Sequence, residues 1–288
     1  MLLIAIIMAF LALLVASITD LKKREVPDYV SYALVFIAFA ISLLNTIIEW
    51  DYSYVAQSTM GFVIGLIIAY VMFYLGQWGG GDSKLIMGLG AIFGFNVFPL
   101  FGKSNYWFLM FLGCIVLLGA MYGLVWSTFL AVKHHKVFIK SVILWMRKRE
   151  IIIARRVMLS LITVLFLVTL IFVTRGYQLP ILLFVAMFYM IFYMWIFVKV
   201  IEERCMVKEI PISKLTEGDW IFKDVYVGKK LITGPKDLGV SREQIALLKK
   251  YSAEGKIKTI IIKEGIPFIP AFLLAYIATI ILYYSGVF

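Results

Sequence analysis

Residues 2–19 read LLIAIIMAFLALLVASIT, eighteen consecutive residues without a charge. A helix of about 20 apolar residues is long enough to cross the hydrocarbon core of a bilayer. The stretch lacks the basic start and the small-residue cleavage site of a secretory signal peptide. The charged residues Asp20, Lys22, Lys23 and Arg24 follow it directly. This pattern predicts a retained membrane span that ends at a polar boundary.

The rest of the chain has the same apolar character. Of its 288 residues, 63% are hydrophobic and only 16% are charged, whereas a soluble domain is roughly half apolar and about a quarter charged. We therefore expect an all-α polytopic membrane protein of about eight spans, with six as the lower count. The predicted spans are 2–19, 29–48, 60–77, 83–101, 106–132, 157–174, 180–200 and 266–284.

The basic residues are distributed very unevenly between the two sides of these spans. With eight spans, 26 of the 28 Lys and Arg residues fall on one side, and only Lys103 and Arg175 fall on the other. Basic loops favour the cytoplasm, so we expect a multi-pass protein of the cell membrane whose large loops are cytoplasmic. The net charge of +11 then reflects topology. It predicts membrane lipids, and no nucleic acid, as partners.

The hydrophilic segments divide the chain further. We expect a membrane core at 1–132, a basic cytoplasmic loop at 133–156, accessory spans at 157–200, a small soluble cytoplasmic α+β module at 202–263, and a final span at 266–284. The basic loop interleaves charged and apolar residues, which is typical of an amphipathic helix on anionic headgroups.

The soluble module carries a local helix signal. Ser241-Arg-Glu-Gln244 matches a capping box that opens a helix through about Ala253. Short β-like runs occur at 207–212, 220–227 and 257–262. The module is therefore expected to combine one helix with a few strands.

Two of the seventeen acidic residues lie against apolar spans. Asp20 closes the first span and Asp82 opens the fourth, and the predicted topology brings both to the cytoplasmic boundary. An ionisable group at membrane depth is costly and is a functional candidate. Two carboxyls that share one proton can activate a water with one member and protonate a carbonyl oxygen or leaving nitrogen with the other. Asp20 and Asp82 are therefore predicted to be the catalytic pair of an aspartyl protease.

Other chemistries have less support in the sequence. The two histidines are adjacent, at His134 and His135, and neither Cys114 nor Cys205 has a second cysteine nearby. We therefore expect no metal and no cofactor. A proton-coupled membrane transporter that uses the same Asp pair is the alternative function, but it predicts acids near the midplane and two related halves. A membrane scaffold without activity also stays open.

The residues around Asp82 extend the candidate site. Gly79, Gly80 and Gly81 precede it and are predicted to form an active-site loop, because glycine lets an extended substrate approach the backbone closely. Lys84 is a candidate for substrate binding or for tuning the Asp82 pKa. A plain role at the membrane boundary is an equally good interpretation of Lys84.

These segments resemble a known family. Gly79-x-Gly81-Asp82 matches the GxGD motif of the GxGD membrane proteases, and the full stretch GGGDSK at 79–84 is similar to the version found in type IV prepilin peptidases. The stretch DLKKREVPD at 20–28 resembles the other catalytic segment of that family. The motifs of presenilin-type enzymes are not seen, since the final span reads Pro-Ala-Phe at 270–272.

The resemblance covers roughly residues 1–130 and implies a specific activity. Such enzymes are aspartic endopeptidases that remove short basic leader peptides, after a Gly, from precursors with class III (type IV pilin-like) signal peptides at the cytoplasmic membrane boundary. Many bacterial members also methylate the new N-terminus and carry paired CxxC motifs. This chain has no CxxC, which argues against methyltransferase activity. It looks more like the archaeal preflagellin and prepilin peptidases, which process subunits of the archaeal flagellum and pili.

Overall fold

The computed structural model describes residues 2–96, 105–228 and 230–285. Most of this part of the chain is helical, and a small group of strands lies near its C-terminal end. The membrane part and the final helix comprise α1 (Leu2–Lys23), α2 (Asp28–Glu49), α3 (Ser53–Tyr74), α4 (Gly80–Phe93), α5 (Tyr106–Lys133), α6 (His135–Met146), α7 (Arg149–Phe172), α8 (Arg175–Val200) and α10 (Ile269–Tyr284), with α9 (Arg242–Ala253) in the strand region.

Six helices of the described chain are long and apolar enough to cross a membrane, namely α1, α2, α3, α5, α7 and α8. The prediction of a polytopic helical membrane protein is confirmed. The number of candidate spans is six, which is the lower of the two predicted counts. The helices α4 and α10 have 14 and 16 residues, so at about 1.5 Å per residue they extend only about 21 and 24 Å. That is less than the roughly 30 Å of a hydrocarbon core.

Several element boundaries differ from the predicted ones. The fourth predicted span corresponds to α4, which already ends at Phe93. Its expected end at 97–101, and Lys103, lie outside the described residues. The helix α7 begins at Arg149, eight residues before the predicted start, because the charged end of the 133–156 segment continues the same helix. The rest of that segment forms α6.

The first five helices and the last one form a single bundle. Within it, α4 packs chiefly against α3 and α2, while α10 packs against α5 and α1. Fully buried side chains from four of these helices meet in one core, among them Leu13, Leu85, Phe108 and Phe272. The final helix therefore belongs to the same core as α1 to α5, although α6 to α9 and all the strands separate it from them in sequence.

The soluble module consists of α9 and five short strands. These are β1 (Val207–Pro211), β2 (Trp220–Ile221), β3 (Val225–Val227), β4 (Lys230–Thr233) and β5 (Thr259–Lys263). An antiparallel sheet has the order β1-β5-β2, and β3 pairs with β4 in a separate hairpin. The predicted α+β character is confirmed. A π-helical turn at Ile201–Cys205 continues α8 into the module.

The predicted capping box of this module is also confirmed. The Ser241 side chain accepts a hydrogen bond from the Gln244 N–H at 3.2 Å, and the Ser241 N–H donates to the Gln244 side chain at 2.8 Å. Both partners satisfy backbone groups that a helix start leaves free. The helix α9 ends at Ala253, as expected.

Candidate active site

Asp20 lies in the last turns of α1, where its side chain is buried. Its Oδ2 atom accepts a hydrogen bond from the Ile269 N–H at 3.0 Å. Ile269 is the first residue of α10, so the Asp20 carboxyl caps the start of the last helix. A helix N-terminus stabilises negative charge, and this contact therefore supports a carboxylate in an apolar setting.

Asp82 lies in the first turn of α4. Its Oδ2 atom accepts a hydrogen bond from the Gly79 N–H at 3.0 Å, and the Ser83 N–H donates to the Gly79 carbonyl at 3.1 Å. The carboxyl thus folds back over the glycine triplet and binds a backbone donor at the start of its own helix. Both Asp residues are consequently held by backbone N–H groups at helix N-termini.

The structure brings the two carboxyls together at one end of the bundle. Asp20 and Asp82 lie within electrostatic range of each other. The Trp78 ring, next to the glycine triplet, packs against Phe268 and Phe272 with ring centroids 6.5 and 5.1 Å apart. These two rings flank Ile269, the donor to Asp20. The segments that carry the two acids are therefore direct neighbours.

The three glycines have different surroundings. A Cβ atom at Gly81 would lie 2.8 Å from the Cβ of Val26, in the loop between α1 and α2. No atom lies within 4 Å of a Cβ placed at Gly80. Left-handed backbone occurs at Gly76 and not within the triplet. The close approach that only glycine permits is therefore located at Gly81, where the Asp82 loop meets the segment that follows Asp20.

Lys84 is paired with residues of α2. Its Nζ atom forms an ion pair with Asp28 at 2.5 Å and lies 5.6 Å from the Tyr32 ring centroid. Asp28 and Tyr32 both belong to α2. Lys84 therefore links the start of α4 to the start of α2, and Asp28, which opens α2 after Pro27, has a partner that the sequence did not suggest.

Arg24 also belongs to this site, although its position in the sequence predicts only a topological role. Its backbone is left-handed, with φ at 60°, a region that residues other than glycine seldom occupy. Its guanidinium donates to the Gly265 carbonyl at 2.7 Å and lies 5.2 Å from the Trp126 ring centroid. Arg24 therefore ties the end of α1 to α5 and to the loop that leads into α10.

The soluble module reaches the same end of the bundle. A Cβ atom at Gly76 would lie 2.9 Å from the Trp220 ring, so this indole of β2 covers the turn before the glycine triplet. Among the described residues, no group of three or more His, Cys, Asp or Glu side chains is arranged to hold a metal ion.

The membrane core is similar to known proteins. Residues 7–132 match the model of the type IV leader peptidase family. The preflagellin peptidase of Methanocaldococcus jannaschii is 40% identical over 120 residues, which is 40% of this chain and 51% of that protein. The preflagellin peptidase of Methanococcus voltae is 36% identical over 100 residues, or 35% of this chain and 42% of that protein. The chain thus spans about half the length of these curated relatives or less.

Proposed function

We propose that this chain, whose residues 7–132 match the model of the type IV leader peptidase family, is a membrane-embedded aspartyl endopeptidase that removes short basic leaders from preflagellin- or prepilin-like precursors. The observation that carries the proposal is the pair Asp20 and Asp82, drawn from two helices to one end of the bundle. Each acid is fixed by a backbone N–H group, so neither carboxyl needs a cation to hold it. The similarity to preflagellin peptidases supports the substrate class.

The chemistry follows from one proton shared by two carboxyls. The carboxylate removes a proton from a water molecule, whose oxygen bonds to the scissile carbonyl carbon, while the other carboxyl gives its proton to the carbonyl oxygen. The resulting gem-diol collapses when the leaving nitrogen takes a proton from the first carboxyl and the C–N bond breaks. One gem-diol hydroxyl returns its proton to the second carboxyl, which restores the pair.

The substrate is a precursor whose basic leader precedes an apolar helix. Such a helix inserts beside the bundle, and its boundary with the leader lies at the depth of the two acids. The uneven distribution of Lys and Arg, counted with eight crossings, supports a cytoplasmic position for this end of the bundle. Partners are therefore precursors with class III signal peptides and the surrounding membrane lipids.

The first prediction concerns the reaction itself. Purified protein in detergent is expected to shorten a model precursor that has a basic leader ending in Gly before an apolar helix. Mass spectrometry of both products locates the cleaved bond, which we expect directly after that Gly. A matched precursor with Leu in place of the Gly is expected to stay intact. Folded protein that leaves every leader-bearing precursor uncut would contradict the proposal.

The second prediction concerns orientation. Cysteines introduced at Lys22 and at Tyr52 lie at opposite ends of the bundle, because α2 separates them. An impermeant thiol reagent applied to intact cells is expected to label the Tyr52→Cys variant only, and to label Lys22→Cys only after the membrane is opened. Cys205 and Cys114 are replaced by Ser in both variants, so that the signal comes from the new thiol. Labelling of Lys22→Cys in intact cells would reverse the proposed orientation.

A further inference from the structure

One face of α5 forms a wall beside the acid pair. Gly119, Tyr122 and Trp126 follow each other at helical spacing and therefore share this face. A Cβ atom at Gly119 would lie 2.7 Å from the Phe268 ring, next to the Ile269 N–H that binds Asp20. The Arg24 guanidinium lies over the Trp126 ring, 5.2 Å from its centroid. This face therefore contacts the site at Gly119 and at Trp126, and Tyr122 lies between these two residues.

The Tyr122 hydroxyl is buried and has no hydrogen-bond partner in the described part of the chain. Its ring stacks on Trp126 with centroids 6.0 Å apart, and the side chain lies within electrostatic range of Asp20 and Arg24. Burying a hydroxyl without a partner is unfavourable. A purely structural role explains why a ring packs against Trp126 at this position. It does not explain why that ring carries a buried hydroxyl.

Other buried polar groups have simpler explanations. The hydroxyls of Ser17, Ser31 and Thr46 also lack partners, but small hydroxyls inside helices readily turn toward carbonyls one turn earlier. A phenol cannot reach its own helix backbone in that way. The comparable buried tyrosine, Tyr276, donates its hydroxyl to the Ile6 carbonyl at 2.9 Å. Tyr122 is therefore an exception, and its hydroxyl calls for a partner from outside the described residues.

We propose that the Tyr122 hydroxyl is a substrate-contacting residue that donates a hydrogen bond to the scissile carbonyl oxygen while water adds to the carbonyl carbon. This inference rests on the proposed protease function and assigns a further residue to it. As the new C–O bond forms, negative charge develops on the carbonyl oxygen while the second carboxyl transfers its proton to it. A fixed donor aimed at that oxygen stabilises the charge without losing its own proton.

The stack on Trp126 makes this donor preorganised. The Trp126 ring stacks on the Tyr122 ring and also lies under the Arg24 guanidinium. These contacts fix the position of the phenol relative to Arg24, which lies one turn after Asp20. A Cβ atom at Gly123, one residue beyond Tyr122, would have no neighbour within 4 Å. The α5 surface next to Tyr122 therefore has open space at Gly123.

The test compares Tyr122→Phe with Tyr276→Phe. Tyr122→Phe keeps the stacked ring and removes only the donor, so kcat is expected to fall on the order of 10²-fold, as for loss of one oxyanion donor, with KM nearly unchanged. Its thermal unfolding midpoint is expected to stay the same or rise, because an unpaired buried hydroxyl is lost. Tyr276→Phe loses a paired hydroxyl, so its midpoint is expected to fall while kcat stays near the wild-type value.

The outcomes separate this inference from the function on which it rests. If the wild-type protein cleaves and Tyr122→Phe matches its kcat, the role of the hydroxyl is wrong and the protease function stands. A loss of kcat that accompanies a lower unfolding midpoint also overturns the inference, because that result shows a structural role. If the wild-type protein cleaves no precursor, the proposed function and this inference fall together.

Discussion

Asp20→Asn and Asp82→Asn are each expected to abolish leader cleavage while leaving expression and membrane insertion unchanged. An amide keeps the size of the carboxyl and can still accept the backbone bonds from Ile269 and Gly79. It can neither carry the negative charge nor exchange the shared proton. General acid–base catalysis contributes typically about 10²–10⁴-fold, so the residual rate should lie at or below the limit of a gel-based assay.

The two substitutions are also expected to be non-additive. Removing either half disables the pair, so the double variant should be no slower than either single variant. Asp→Glu at either position is expected to fail as well, because one extra methylene moves the carboxyl by more than the roughly 0.5 Å that a preorganised site tolerates.

The control for these variants has to come from the other end of the bundle. Asp28 is unsuitable, because its ion pair with Lys84 connects it to α4 only two residues from Asp82. Asp51 is the better match. It is exposed between α2 and α3 and accepts hydrogen bonds from Ser53 alone among the described residues. Asp51→Asn should cleave at the wild-type rate, and a near wild-type rate for Asp20→Asn would refute the acid pair.

The parts of this site that are local in sequence could be predicted from it. The uncharged stretch before Asp20, the glycine triplet before Asp82 and the capping box at Ser241 all place their signals within a few residues. Each depends on short-range rules of helix formation and helix ends. The positions of the acid pair at helix boundaries therefore followed from hydropathy alone.

The contacts that complete the site are not local, and the sequence did not reveal them. Ile269 binds Asp20 across 249 residues, and Arg24 binds Gly265 across 241. The donor to Asp20 is a backbone N–H group, which every residue except proline possesses, so no residue type marks it. In the sequence, Arg24 is one of three consecutive basic residues at a span end, and this pattern predicts only a topological role. Its left-handed backbone and its stack on Trp126 depend on the tertiary packing of α1 against α5 and α10.

Helix lengths show a similar limit. The apolar run after Asp82 predicts a full span, yet α4 ends at Phe93. Hydropathy reports that a segment is buried among apolar groups, but it does not distinguish lipid from other helices. The helix α4 lies against α2 and α3, and Leu85, Ile86 and Leu89 are fully buried in protein. A helix surrounded by its neighbours does not need the length that a lipid-exposed span requires.

The contact between α3 and α4 leads to the second large effect that we expect. At this crossing a Cβ atom on Gly61 would collide with the Gly90 carbonyl, and a Cβ atom on Gly90 would collide with the Gly61 carbonyl. One turn away, a Cβ at Gly65 would lie 2.7 Å from the Ile86 carbonyl oxygen. The two backbones therefore touch directly, as small residues allow in membrane helices.

Gly61→Ala and Gly90→Ala are each expected to destabilise the protein strongly and to remove most of its activity. Overpacking a core by one methyl group costs typically 1–3 kcal/mol. Here the obstacle is backbone that cannot rotate away, so the upper end of that range or more applies. Separating α3 from α4 also displaces Asp82, which lies two turns before Gly90 on α4. Unfolding midpoints in detergent and cleavage rates measure the two effects.

Gly113→Ala supplies the matched control, since it adds the same methyl group within an apolar helix of the same bundle. A Cβ atom at Gly113 has no neighbour within 4 Å, and alanine favours a helix over glycine by about 1 kcal/mol. This variant is expected to be as stable as the wild type or more stable, with full activity. If Gly61→Ala and Gly90→Ala behave like Gly113→Ala, α3 and α4 do not pack backbone to backbone. In that case the position of Asp82 beside Asp20 would need another support.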